Sequence, residues 1–538
     1  MRAILVMIDT LNREALTAYN PDSWVQAPNI ERFARRSAVF TNHWAGSLPC
    51  MPARRDLFTG RLSFLERGWG GLEPFDVTLQ EQLTRGDVFS HMVTDHYHYF
   101  ATGGENYCQL FTTWDFHRGQ EFDPWVSTVQ PPPLPESYLG RVHPQYERNR
   151  SRFQQEMDFS GPRTMQAACD WLDANYEADR FFLMVEPFDP HEPFDSPDEY
   201  LALYADTYDG PRYDWPNYGP NRESPEASEH LRKRYAASLT MIDRWFGKLL
   251  DKLDQYAMWD DTLVILTTDH GFLLGEHEAL GKNVMNVYNE LAHLPLMVHT
   301  PGGLRAGERI DALTQNIDLM PTLLEHFGLE VPSEVQGGSM LSLLEAATDT
   351  PARLREAALY GYFSMDVNVT DGTYTYMRTA VRPDNAPCYL YTAMPTAFRS
   401  FVKRPDMSEV EHGRFLAHTD YPVLRFPVRG VGPELGHAPM KRETLLFDLR
   451  DDYRQQRPIR DAGLERRMEA AMAKAMRLAG APEEQYERLG LESDASAGRG
   501  REDLAAADHE SETVTAPSTA PSGTAAATVP GPEGGAAR

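Results

Sequence analysis

Short apolar runs set the rhythm of this chain. Ala3-Ile4-Leu5-Val6-Met7-Ile8 is continuous, rich in strand formers and halted at once by Asp9, the pattern of a strand buried on both faces of a parallel sheet. Similar runs recur at Phe181-Phe182-Leu183-Met184-Val185, Leu263-Val264-Ile265-Leu266 and Leu296-Met297-Val298. Between them the period changes to that of a helix. Ala168, Trp171, Leu172 and Tyr176 share one face, and Leu239, Ile242, Trp245, Phe246, Leu249 and Leu250 share another. Strands alternating with amphipathic helices predict an α/β sheet covered on both sides.

Beyond about residue 355 the pattern shifts. Tyr360 to Phe363, Thr373 to Arg378 and Leu445 to Leu449 read as strands separated by turns such as Asp371-Gly372, and Leu464 to Leu478 as a helix. The expected organisation is an α/β domain over 1–355, a smaller C-terminal α+β subdomain with an antiparallel sheet over 356–490, and a tail over 491–538. That tail is dominated by Ala, Gly, Pro, Ser, Thr and acidic residues, which cannot bury enough apolar surface to fold.

Composition narrows the function classes. A net charge of -27 argues against broad binding to nucleic acid or to anionic membranes, while leaving room for a local cationic pocket. The four cysteines, Cys50, Cys108, Cys169 and Cys388, are widely spaced, which is neither a disulfide framework nor a zinc finger. Six apolar residues after Arg2 are too few for a signal-peptide core, so the expected compartment is the cytoplasm.

Chemistry gathers at strand ends. Asp9 follows the first strand, and Asp269-His270-Gly271 lie just past the strand at 263–266. Ligands of open α/β sheets sit outside the carboxyl ends of strands, so two carboxylates and an imidazole there can form a site for a hard divalent cation. Taken singly, each Asp reads first as a helix cap.

The segment Leu48-Pro49-Cys50-Met51-Pro52-Ala53-Arg54-Arg55 changes the picture. Its Cys-x-Pro-x-Arg spacing, at Cys50, Pro52 and Arg54, resembles the signature of the formylglycine-dependent sulfatases of the alkaline phosphatase superfamily. Thr59-Gly60-Arg61 resembles its continuation. Ala27-Pro28-Asn29-Ile30, Thr268-Asp269-His270-Gly271, Gly275-Glu276-His277, Gly281-Lys282, Leu294-Pro295-Leu296, Asp318 to Gly328 and Leu446-Phe447-Asp448-Leu449 also follow the family in order, over roughly residues 1–455.

The resemblance implies an alkaline phosphatase-like α/β fold with a mixed, mostly parallel sheet, and hydrolysis of sulfate monoesters. Cys50 would be oxidised to formylglycine by a dedicated formylglycine-generating enzyme. One hydroxyl of the hydrated aldehyde then attacks sulfur, and the other drives collapse of the adduct, expelling sulfate. Asp9, Asp269 and His270, with modified Cys50, would hold one divalent ion, Ca²⁺ before Mg²⁺ or Mn²⁺. Thr10 stands where many relatives carry a further Asp.

Arg54 would stabilise the nucleophile and the ester oxygens. His98 is expected to act as the base that promotes sulfate elimination, with His96 beside it where the family usually has a lysine. His191 and Lys282 would contact the ester and assist the leaving oxygen. Phe111 to Trp125 and Tyr200 to Tyr218 are candidate pocket walls. The expected partner is a small-molecule or sugar sulfate ester, with no nucleic acid and no membrane. Two alternatives stay open: phosphonate or phosphate ester hydrolysis on the same machinery, and an inactive protein that binds sulfated ligands.

Overall fold

The computed structural model describes residues 1–492, apart from 105, 131, 284–285, 347–352, 398–399, 402–406 and 433–442. Residues 1–491 form one compact unit, and nearly all of the expected tail lies outside the described residues.

The main sheet comprises β1 (Arg2–Met7), β2 (Ala38–Trp44), β3 (Phe89–Thr94), β4 (Thr113–Phe116), β5 (Phe181–Glu186), β6 (Thr262–Thr267), β7 (His293–His299), β8 (Arg309–Ile310) and β9 (Thr314–Gln315). They run in the order β8-β2-β7-β6-β1-β5-β3-β4, with β9 also on β2. The central strand β1 pairs in parallel with β5 and β6, as Leu5 lies opposite Met184 and Ile265. Side chains alternate between two cores. Ile4, Val6, Leu183, Val264 and Leu266 face α2 (Ser160–Asn175) and α3 (Pro225–Gln255); Ala3, Leu5, Met184 and Ile265 face α1 (Cys50–Thr59) and α4 (Leu319–His326).

β7 corrects one expectation. Its run resembles the parallel strands, yet it is antiparallel to both β2 and β6. Burial on both faces fixes composition but not direction. A parallel return from β6 needs a crossover, usually a helix. The chain between Thr267 and His293 has only short elements, so it doubles back and spends its length on the loop that carries Asp269, His270 and Lys282. β2 carries Thr41, Asn42 and His43, which conceal it as an apolar run. His43 is buried nonetheless, with its ring nitrogens 3.0 Å from Thr314 Oγ1 and 2.9 Å from Asn316 Oδ1.

The smaller sheet contains β10 (Ala358–Tyr362), β11 (Val367–Thr370), β12 (Tyr374–Arg378) and β13 (Leu445–Asp448), all antiparallel neighbours. The helix α5 (Ala462–Leu478) packs Met468, Met472 and Met476 in one core with Leu359, Val367, Val369 and Tyr376. Its edge is completed by Ser47–Leu48, which pairs in parallel with β10. The two residues that lead into Cys50 are therefore fixed by the small sheet, while α1 itself packs under the large one.

Candidate active site

Cys50 is the first residue of α1 and is 1% exposed. The turn before it is clamped by Asp56, whose carboxylate accepts the Ser47 N–H at 2.5 Å and the Ser63 N–H at 3.2 Å. Gly60 closes α1 in the left-handed region (φ 62°), where a side chain would be strained.

Three strand ends deliver carboxylates around one guanidinium. Asp9 lies past β1, Asp269 past β6, and Glu186 ends β5. Arg54, one helical turn beyond Cys50, donates to all three: Nη2 to Asp9 Oδ2 at 2.7 Å, Nη1 to Asp269 Oδ2 at 2.6 Å, and Nε to Glu186 Oε1 at 2.5 Å. A further bond from Nη1 to the Cys50 carbonyl, at 2.9 Å, ties the cluster to the helix start. All four side chains are wholly buried. Burial, and then the like charge of Asp269, pushes the Asp9 carboxyl well above its ordinary range.

The atoms of Asp9, Cys50, Asp269 and His270 that can bind a metal lie within 4.8 Å of one another. Their chemistry fits a divalent ion. The His270 ring is fixed by Nδ1–H donating to the Gly271 carbonyl at 3.0 Å, which leaves Nε2 as a lone pair facing Cys50 Sγ at 3.1 Å. Burial lowers His270 to about 3, so the imidazole is neutral, as a ligand must be. Gly271 is required where it stands, because a Cβ there would meet the Glu290 carbonyl at 1.9 Å.

Lys282 reaches the same point from the other side, its Nζ 3.7 Å from Cys50 Sγ and 3.5 Å from Thr10 Oγ1. Thr10 Oγ1 in turn donates to Asp9 at 2.7 Å. Burial works against the ammonium, but Cys50, Glu192, Asp9 and Asp269 hold its pKa above the usual lysine range. Above these groups opens a pocket of about 390 Å³, lined by Cys50, Lys282, Trp69, His98, Glu121, Phe122, His191 and Glu192 among others. His98 Nε2–H donates to Glu121 at 3.0 Å, and His191 Nδ1–H donates to the Glu192 carbonyl at 2.7 Å.

The sulfatase family model matches residues 2–329. The chain belongs to the sulfatase family. The model of the N-sulphoglucosamine sulphohydrolase C-terminal region matches residues 275–411. Among relatives, an N-acetylglucosamine-6-O-sulfatase of Bacteroides thetaiotaomicron is 39% identical over 135 residues, a stretch spanning 25% of this chain and 24% of that protein. A choline-sulfatase of Rhizobium meliloti is 25% identical over 419 residues, spanning 71% of this chain and 78% of that protein. Among solved structures, one described as BT4656 in complex with its substrate D-glucosamine-2-N,6-O-disulfate shares the fold, with TM-score 0.61, 16% identity, and coverage of 89% of this chain and 98% of that one.

Within this sulfatase-family fold, Asp9, Cys50, Arg54, Asp269, His270 and Lys282 converge on one point, and His98 and His191 line the pocket beside it. His96 stands apart. It is fully buried, 3.6 Å from Asp9 Oδ2 and packed against Tyr99, His98 and Phe188, and does not line the pocket. Burial, then Arg54, keeps it well below the usual imidazole range. Asp189, two residues before His191, accepts from Gln120 Nε2 at 3.3 Å and from Ser238 Oγ at 3.5 Å.

Of the candidate walls, Phe122 and Tyr218 reach the pocket, whereas Phe111, Tyr213 and Trp215 are core. Sequence reasoning missed Glu186 and Glu192, and it named the stretch that holds Glu121 for its aromatic residues rather than for this carboxylate. Glu186 carried a usable signal, a carboxylate closing an apolar strand just as Asp9 and Asp269 do. Glu121 and Glu192 sit in loops with no periodicity to mark them. No helix among the described residues is long and apolar enough to cross a membrane.

Proposed function

We propose that this chain hydrolyses sulfate monoesters, using formylglycine made from Cys50 by a formylglycine-generating enzyme and one divalent ion held by Asp9, Asp269, His270 and the modified Cys50. The observation that carries this reading is the placement of Cys50 at the pocket floor, with Lys282 on one side and the Arg54-centred carboxylates and His270 on the other. The ion would supply Lewis-acid stabilisation of negative charge at the floor. Oxygen ligands favour Ca²⁺, and the imidazole of His270 widens the choice toward Mn²⁺.

The chain's own groups divide the remaining work. Arg54 fixes the Asp9 and Asp269 carboxylates in register and holds the start of α1. Lys282, held charged, offers N–H donors to the ester oxygens and to the oxygen that leaves with the alcohol. His191, with Nδ1–H committed to a backbone carbonyl, presents Nε2 for proton exchange with the substrate. His98 is oriented by Glu121 and is the proposed base for expulsion of sulfate.

One observation favours a rival substrate. His96 replaces the lysine that the family usually carries, and its deep, uncharged position removes a cation from behind the site. Less fixed positive charge leaves phosphonate monoesters as competitors. The test is a paired assay on protein whose Cys50 conversion is verified by peptide mass. It compares kcat/KM for an aryl sulfate and an aryl phosphonate monoester with Ca²⁺, Mg²⁺ or Mn²⁺. Sulfate preference with metal dependence supports the reading. Phosphonate preference overturns the substrate, and activity of unconverted, metal-stripped protein overturns the mechanism.

A further inference from the structure

The pocket wall carries more negative charge than a site for anionic esters requires. The carboxylate oxygens of Glu121 and Glu192 and a ring nitrogen of His191 lie within 4.8 Å of one another. Both carboxylates are buried, Glu121 at 4% and Glu192 at 1% exposure. Glu121 accepts from His98, and Glu192 Oε1 accepts from the Tyr218 hydroxyl. Glu192 Oε2 is buried with no hydrogen-bond donor. Asn283 Oδ1, also in the pocket lining, is a second buried acceptor without one. Both unsatisfied atoms are acceptors, so the wall calls for a donor from outside the chain.

A neutral donor would satisfy the hydrogen bond but not the charge. Burial disfavours the Glu192 carboxylate, Lys282 offsets that only in part, and Glu121 adds repulsion, so a further cation between the two carboxylates relieves the remainder. His191 is poorly suited to be that cation. Burial and the neighbouring Lys282 both oppose its protonation. A metal ion suits the spot less well, because the ring nitrogen nearest both carboxylates is Nδ1, 4.0 Å from Glu121 Oε1 and 3.3 Å from Glu192 Oε2, and its hydrogen is given to the Glu192 carbonyl. Trp69, Phe122 and Tyr218 line the same pocket and add aromatic faces, which favour a cation further. Arg141 also lines it, over the rings of Phe122 and Trp215 at 5.3 and 4.8 Å from their centroids.

We propose that Glu192 and Glu121 select a protonated amine on the alcohol half of the substrate. The substrate class is then the sulfate ester of an amino sugar or amino alcohol, and a second anion on the alcohol is disfavoured. This rests on the sulfatase reading above and assigns the half of the molecule that reading leaves open.

The test uses three ligands that differ only in the substituent on one nitrogen, cationic, neutral and anionic in turn: glucosamine 6-sulfate, N-acetylglucosamine 6-sulfate and N-sulfoglucosamine 6-sulfate. Binding is measured by calorimetry on the full-length Cys50→Ser protein loaded with Ca²⁺, so no turnover is needed. The amine should bind at least tenfold more tightly than the N-acetyl form and more tightly still than the N-sulfo form. In Cys50→Ser/Glu192→Gln protein the amine-to-N-acetyl ratio should fall at least fivefold, whatever the absolute affinities become. Equal binding, preference for the N-sulfo form, no binding of the amine, or a ratio unmoved by Glu192→Gln each overturns the proposal. Hydrolysis of 4-nitrophenyl sulfate by converted wild-type protein is read separately. Its absence would overturn the sulfatase reading without touching the binding order.

Discussion

The floor and the wall of the pocket are built on opposite principles. At the floor, Asp9, Asp269 and Glu186 meet the cation Arg54, with Lys282 beside them, and each of these carboxylates has a hydrogen-bond donor. On the wall, Glu121 and Glu192 face each other around a neutral imidazole, and Glu192 keeps an unused acceptor. The floor is internally compensated, as a scaffold for one fixed reaction must be. The wall is left incomplete, and its missing donor is what a substrate can bring. On the proposed reading, chemistry is carried by strand ends locked into the sheet, and selectivity by the loops after β4 and β5, where Glu121 and Glu192 lie.

The largest effect expected from breaking this division is at Cys50. Cys50→Ala should lower kcat by at least about 10⁴-fold, because it removes the proposed nucleophile. Its thermal melting point should stay near that of the wild type, since only a small buried side chain changes. Substantial turnover by this variant would remove Cys50 from the chemistry altogether.

Lys282 tests the border between floor and wall, as it touches Cys50 and lines the pocket. Lys282→Ala should cost about 100-fold in kcat/KM on alkyl sulfates and only about tenfold on 4-nitrophenyl sulfate, whose leaving group needs less help. Equal losses across a leaving-group series would place Lys282 in substrate binding alone.

The smallest effect concerns the loop that brings Trp69 to the wall. Arg67 grips Asp76 through two bonds, at 3.0 and 2.5 Å, and both side chains are buried. Burial opposes ionisation of Asp76, but Arg67 beside it outweighs that and holds the carboxyl below its ordinary value. A carboxyl depressed in the folded state adds stability above its unfolded pKa of about 4 and loses it as pH falls below. Urea midpoints of the wild type should therefore drop more steeply from pH 5 to pH 3 than those of Asp76→Asn. Parallel curves would show that this pair does not set the acid stability of the loop.

Much of the floor was legible because its residues are locally marked. Asp9 and Asp269 stop apolar strands, and Cys50, Pro52 and Arg54 have a fixed spacing on one helix. Glu186 obeys the same strand-stop rule, but its place in the cluster depends on the Arg54 Nε bond, which only the fold brings about. The wall was legible in its segments, since Phe122 and Tyr218 come from the expected stretches, but not in its charge. Glu121 and Glu192 come from different loops, and only the fold brings their charges together around His191. The direction of β7 was equally invisible, since its residues are buried on both faces whichever way the strand runs.

The amino-acid sequence by itself determined the alternation of strands and helices, the family, and the residue types available for hydrolysis, because periodicity and motif spacing are properties of the chain alone. Tertiary structure decided which charges are compensated and which are not. It placed Arg54 among three carboxylates, His96 behind the pocket, and Glu192 beside it with an acceptor unfilled. Charge balance depends on distances across the fold, and residues far apart in the chain carry no local trace of them.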